Sequence, residues 1–116
     1  MRDGRYVFLD WADSSLTHPF HTLAVTMRVL AWRHSLTPDA PELYRLRDLY
    51  LERFEGFASP SDLRVASEIA LRTGTIQRAL VGHRYYLGEP WVERDDSIPY
   101  DLKLFLANGP IGSWEP

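Results

Sequence analysis

The sequence has no cysteine, which removes both a disulfide framework and a thiolate zinc site. That usage fits the reducing interior of a cell, and a cytoplasmic location is expected. No uninterrupted apolar run approaches the ~20 residues that a helix needs to cross a bilayer, so no membrane partner is expected. Met1 to Asp10 lacks the long apolar stretch and small-residue cleavage site of a secretory signal. Excess charge is missing too. A formal net charge of −3 supplies no basic patch for nucleic acid, and it is too weak to mark a site for cations. Internal repeats and low-complexity segments are absent.

What is present is apolar and aromatic. Apolar residues make up 45% of the 116, with four Trp, six Tyr and five Phe, enough for a single cored domain spanning 1–116. The apolar spacing is helical over most of the length. Pro19 to about Arg33 places Phe20, Leu23, Ala24, Met27, Leu30 and Ala31 on one face. Val25, Val29 and Trp32 widen that face, which predicts a helix at the centre of a bundle. A connector, Leu36 to Pro41, offers Thr37 or Asp39 as the next cap. Glu42 to Phe57 then sets Leu43, Leu46, Leu49, Tyr50, Phe54 and Phe57 inward. Arg45, Arg47, Asp48, Glu52, Arg53 and Glu55 read as its solvated face.

Ser59-Pro60-Ser61-Asp62 is the plainest helix start: a capping serine, proline at the first position, and an acid by the positive end of the macrodipole. Leu63, Ala66, Ile69, Ala70 and Thr73 follow. Gly74 predicts a stop or kink, with Thr75 capping a further helix that carries Ile76, Ala79, Leu80, His83 and Leu87. Such a pair of helices could hold a base or sugar between them, although core and rim explain the same residues. Adjacent Asp95 and Asp96 could recruit a metal or an amine, but with Ser97 they read more simply as the cap of a last helix, Tyr100 to Ala107, with Leu102, Leu104, Phe105 and Leu106, which Asn108-Gly109-Pro110 ends. The predicted fold is therefore mainly α, a bundle of four to five helices with a short N-terminal strand or hairpin remnant.

That remnant belongs to the most informative stretch, the first twenty residues. Tyr6 to Leu9 is a short buried strand after an Asp3-Gly4 turn, and Asp10 and Asp13 stand on the loop beyond it. A carboxylate fixed by a strand end and open on its loop side suits a divalent cation; on spacing alone, a turn-structuring aspartate that accepts backbone hydrogen bonds is the simpler explanation. His18 and His21 are three apart, a metal-compatible spacing with no third ligand, so capping or surface roles are expected.

Val7-Phe8-Leu9-Asp10-Trp11-Ala12-Asp13, followed by Pro19 and then Leu23-Ala24, resembles the segment after the catalytic loop in aminoglycoside phosphotransferases and related small-molecule kinases. The resemblance implies a protein-kinase-like fold in which Asp10 is a Mg²⁺ ligand bridging ATP phosphates and Trp11 is the packing aromatic after it. It gives Asp13 the place of a frequent second acid, in the metal shell or structuring the loop. Thr17-His18-Pro19 and Thr22-Leu23-Ala24 stand where many members read Gly-Asp-Pro and Asp-Leu-Ala. Only Met1 to Gly4 precede the strand, so the resemblance implies the C-terminal part of a catalytic domain, without the catalytic loop and nucleotide-binding lobe. ATP and Mg²⁺ would be the cofactors of the full-length family, with neither bound tightly here, and no catalytic residue is assigned. The chain is then expected to be inactive alone, and to pair through its bare strand and first helix with a second copy or a complementary kinase lobe. The alternative is a non-enzymatic helical interaction or ligand-binding module.

Overall fold

The computed structural model describes residues 16–86 and 97–113, and over them the fold is mainly α. There are four α-helices among the described residues: α1 (His21–Arg33), α2 (Pro41–Leu51), α3 (Pro60–Tyr86) and α4 (Ser97–Ala107). A 3-10 turn, Glu52–Phe54, extends α2. The strand expected at Tyr6–Leu9, the carboxylates Asp10, Asp13, Asp95 and Asp96, Leu87 and the tail residue Trp114 all lie outside the described residues.

α1 begins two residues later than its pattern suggests, after a turn in which the His21 N–H donates to the His18 carbonyl at 3.0 Å. Its inner face is as expected: Phe20, Leu23, Ala24, Met27 and Ala31 are buried. Its far side is not. Val25, Val29 and Trp32 are exposed, Trp32 to 68%, so α1 lies at the outside of the bundle and α3 is its spine. α1 and α4 both pack along α3.

A Schellman ending closes α1. The Ser35 N–H donates to Trp32 O (3.2 Å) and the Leu36 N–H to Ala31 O (2.8 Å), with Ser35 in the left-handed region at φ 51°. Asn108 does the same after α4, at φ 49°, as the Asn-Gly signal predicts.

α2 departs twice from expectation. No side chain caps it: Ala40 is the N-cap residue and is buried, because the Thr37–Ala40 turn folds it into the core. Its inner stripe is Leu43, Arg47 and Leu51, whereas Leu46, Leu49 and Phe57 are exposed, Phe57 to 86%. The helix is rotated relative to the pattern of its leucines, and an arginine occupies the middle of its buried face.

At α3 the Ser59 cap forms, its Oγ accepting the Asp62 N–H at 3.2 Å and its hydroxyl donating to Asp62 Oδ2 at 2.6 Å. Gly74 does not stop the helix, which runs through it to Tyr86. No pair of helices, and no groove between them, exists there. Gly74 is instead where α1 crosses: a Cβ at this position would sit 3.0 Å from that of Ala24. The missing side chain brings two backbones together, and Thr75 turns its hydroxyl back to Arg72 O at 2.8 Å rather than capping a new helix.

The core joins Phe20, Leu23, Met27 and Ala31 of the α1 region to Ala40, Leu43, Leu51, Leu63 and Ala70. After α4, the chain returns to the α1–α2 connector, where the Gly112 N–H donates to Pro38 O at 2.8 Å. A Cβ at Gly112 would fall 2.6 Å from Leu43 Cδ1 and 2.9 Å from that carbonyl, so only glycine fits.

Candidate functional site

Two places in this fold hold polar side chains in arranged positions. The first is the start of α1. Phe20 packs edge-on against Phe54 (centroids 4.9 Å) and Tyr50 (6.0 Å), and the Tyr50 hydroxyl donates to Pro19 O at 3.2 Å. The segment that follows Asp10 and Asp13 is thus clamped to α2 by one ring. His18 accepts the Phe20 N–H on Nδ1 at 3.3 Å, in the turn before the helix, and no side chain caps α1. His21 reaches across to α3, its Nε2 lying 2.9 Å from Thr73 Oγ1. The Thr73 hydroxyl also reaches Ile69 O at 2.9 Å, and the His21 Nδ1 faces the Thr17 hydroxyl, so both ring nitrogens have a hydroxyl partner. Burial, and then the neighbouring His18, lower the His21 imidazole below its ordinary pKa. These histidines are structural. Among the described residues no three His, Cys, Asp or Glu side chains converge on a metal position, and Thr22 is exposed.

The second place is a cavity of about 270 Å³ between the inner faces of α1, α2, α3 and α4 and the turn that ends at Ser113. Arg28 of α1, Arg47 of α2 and Arg72 of α3 line it, with Leu71, Leu104 and Ile111 as apolar walls. Arg47 is 7% exposed. Its Nε and Nη2 each lie 2.9 Å from Asp48 Oδ1, its Nη1 3.8 Å from Glu68, and its guanidinium 5.2 Å from the Tyr44 ring centre. Burial would raise the Asp48 carboxyl, but hydrogen bonds from Arg47 and Arg64 outweigh it and hold Asp48 below its usual value.

Arg28 is 9% exposed and less well served. Its Nε donates to Ala24 O at 2.8 Å, and its Nη1 comes only within 3.6 Å of Asp101 Oδ1. Its Nη2 is buried without an acceptor. Desolvation pulls the guanidinium below its ordinary pKa, against the attraction of Asp101. Arg78, 3.8 Å from Asp101 Oδ2, competes for the same carboxylate. Arg72 is exposed and leans on α4, its Nε donating to Phe105 O at 3.3 Å with the guanidinium 4.8 Å from that ring centre.

Neither buried arginine was expected from the sequence, where Arg47 falls on the charged face of α2. A signal existed: Leu43, Arg47 and Leu51 share one i, i+4, i+8 row, and Arg28 stands in line with Ala24 and Ala31. Comparison with known proteins found no matching family model, no matching curated protein and no matching solved structure.

Proposed function

We propose that the chain is the C-terminal portion of an ATP-dependent small-molecule phosphotransferase of the aminoglycoside phosphotransferase kind, inactive by itself. One observation carries this reading: Leu9-Asp10-Trp11-Ala12-Asp13 runs to His18-Pro19 and then straight into a helix whose first buried residues are Phe20, Leu23 and Ala24. A metal-binding loop must be held by rigid structure on at least one side, and the Phe20 clamp supplies that support. The mainly helical body agrees with the helical part of a kinase-like C-terminal lobe.

On this reading Asp10, with Asp13 beside it, would hold the Mg²⁺ that neutralises charge on the transferring phosphoryl group. Phosphoryl transfer also needs an aligned nucleophile and donors that cradle the phosphates, and the contributions are far from additive when parts are missing. The isolated chain should therefore release no ADP from ATP. Its partner would be a second copy or a complementary kinase lobe, for which the exposed Val25, Val29 and Trp32 of α1 offer a surface. The ATP it serves places it in the cytoplasm.

Reading the coding DNA upstream of Met1 tests the assignment. A frame with a His-Gly-Asp loop, a downstream asparagine, a glycine-rich loop and a lysine-bearing strand is the expected result. A translation start with no such frame overturns it. Asp10→Ala tests the metal role separately, since a loop carboxylate kept for a cation should leave urea stability almost unchanged. A Mg²⁺-independent loss of about 1–3 kcal/mol would make Asp10 a turn-structuring residue instead. The alternative, a non-enzymatic helical ligand-binding module, is favoured by the arginine-lined cavity.

A further inference from the structure

We infer that the cavity between the four helices binds a small organic oxyanion, a carboxylate or phosphate carried on a short apolar body. The inference stands on the cavity alone and holds whether or not the chain derives from a kinase. Three guanidinium groups from three helices meet around one space, and Glu68, itself largely exposed, is the only carboxylate on the lining among the described residues. Counting the charges one contact away among the described residues, five arginines (28, 47, 64, 72 and 78) face three carboxylates (Asp48, Glu68 and Asp101). In a chain with a net charge of −3, this is a local concentration of positive charge.

The positive charge is also incompletely answered. The Arg28 side chain is nine-tenths buried, its ion pair is long at 3.6 Å, its counter-ion is shared with Arg78, and Nη2 has no acceptor. A buried cation in that state is costly, and an oxyanion in the cavity that Arg28 lines adds negative charge where the shared Asp101 answers it only in part. Arg47 is held by Asp48 in a fixed orientation, so it meets a ligand with little loss of rotamer freedom. Arg72, with no acidic partner among the described residues, stands at the exposed side as the third fork. Arginine's planar set of donors suits carboxylate and phosphate oxygens alike. Leu71, Leu104 and Ile111 then take the apolar part. The volume lies just under the ~300–1,000 Å³ usual for drug-sized ligands, which limits the guest to a headgroup and a few carbons.

The test is an NMR and calorimetric titration of the full chain, at low salt, with benzoate, phenyl phosphate, inorganic phosphate and the neutral benzyl alcohol. Saturable binding of benzoate or phenyl phosphate is expected, with shifts at Ala24, Thr75, Leu104 and Ile111 and competition from inorganic phosphate. Benzyl alcohol should bind at least tenfold more weakly. Which anion wins identifies the headgroup. Arg72→Gln, at an exposed position that folding tolerates, should weaken binding about tenfold or more, and Arg72→Lys by less. Arg33→Gln, a surface arginine away from the cavity, should leave it unchanged. Absence of saturable binding by every anion, equal binding of benzyl alcohol, or equal losses in Arg72→Gln and Arg33→Gln would each overturn the inference. An unfolded Arg72→Gln is replaced by Arg72→Lys, and an affinity equal to wild type there would count against the site.

Discussion

The two ends of this bundle are built by different physics. Around Phe20, Tyr50 and Phe54 the contacts are rings on rings, with one hydroxyl finding the Pro19 carbonyl. Around Arg28, Arg47 and Arg72 they are cations shared among too few carboxylates. Apolar packing is non-directional, and it is complete as soon as water is expelled. Charge burial is complete only when every donor has an acceptor, and the Arg28 Nη2 has none. The first end can serve stability without a ligand, whereas the second is better explained with one.

Several substitutions would break or sharpen that contrast. Phe20→Ala should cost about 3–5 kcal/mol in urea melts, since a buried ring that fills the space between α1 and α2 is lost. Asp101→Ala should approach the same size, about 3–5 kcal/mol, because Arg28 would be left buried without its counter-charge. Arg28→Met should cost clearly less, as Asp101 keeps Arg78 at 3.8 Å. Equal losses in the two variants would mean that the pair acts symmetrically and that Arg28 is not the under-compensated partner.

The helix crossing gives a smaller effect. Alanine is favoured over glycine inside a helix by about 1 kcal/mol, yet at Gly74 its Cβ meets that of Ala24 at 3.0 Å, and we expect a net loss of about 1 kcal/mol. Gly56→Ala, with nothing within 4 Å of its Cβ, is the reference and should stay within about 0.5 kcal/mol of wild type.

His21 gives the pH dependence. Its folded pKa lies below its ordinary value, so the unfolded chain binds the proton first as pH falls. The stability that neutral His21 contributes is complete above about pH 6.5 and is lost as pH drops through the lower folded value. Urea midpoints across that range should fall in wild type and fall less in His21→Gln. One substitution should be a gain: Ser35→Gly relieves a left-handed φ of 51° and should add about 0.5–1 kcal/mol.

The same contrast explains what could be read before the fold was known. Four helices, the Ser59 cap, the Asn108 ending and the inner face of α1 follow from spacing and local chemistry, which act within a few residues. Gly74 misleads because its cause is not local: the glycine that reads as a stop is needed for the approach of Ala24, fifty residues earlier by number. α2 misleads because Leu46 and Leu49 advertise one face while tertiary contacts bury another through Arg47. Arg28 and Arg47 could be placed in a cavity only once α3 and α4 were in position, since Glu68 and Asp101 supply their counter-charges. Asp10 and Asp13 were expected as metal ligands only through a family resemblance, and they lie outside the described residues.

The bond from Gly112 to the Pro38 carbonyl bears on the order of assembly. It joins the turn after α4 to the connector after α1, one of the more distant pairings in the chain, and loop closure of that length is slow to be rewarded. The aromatic clamp of α1 and α2 involves nearer neighbours and can form first. The cavity wall at Ile111 would then close last, so Gly112→Ala should mainly speed unfolding while folding keeps nearly its original rate. The anion site would be the last part of the molecule to appear and the first to be lost.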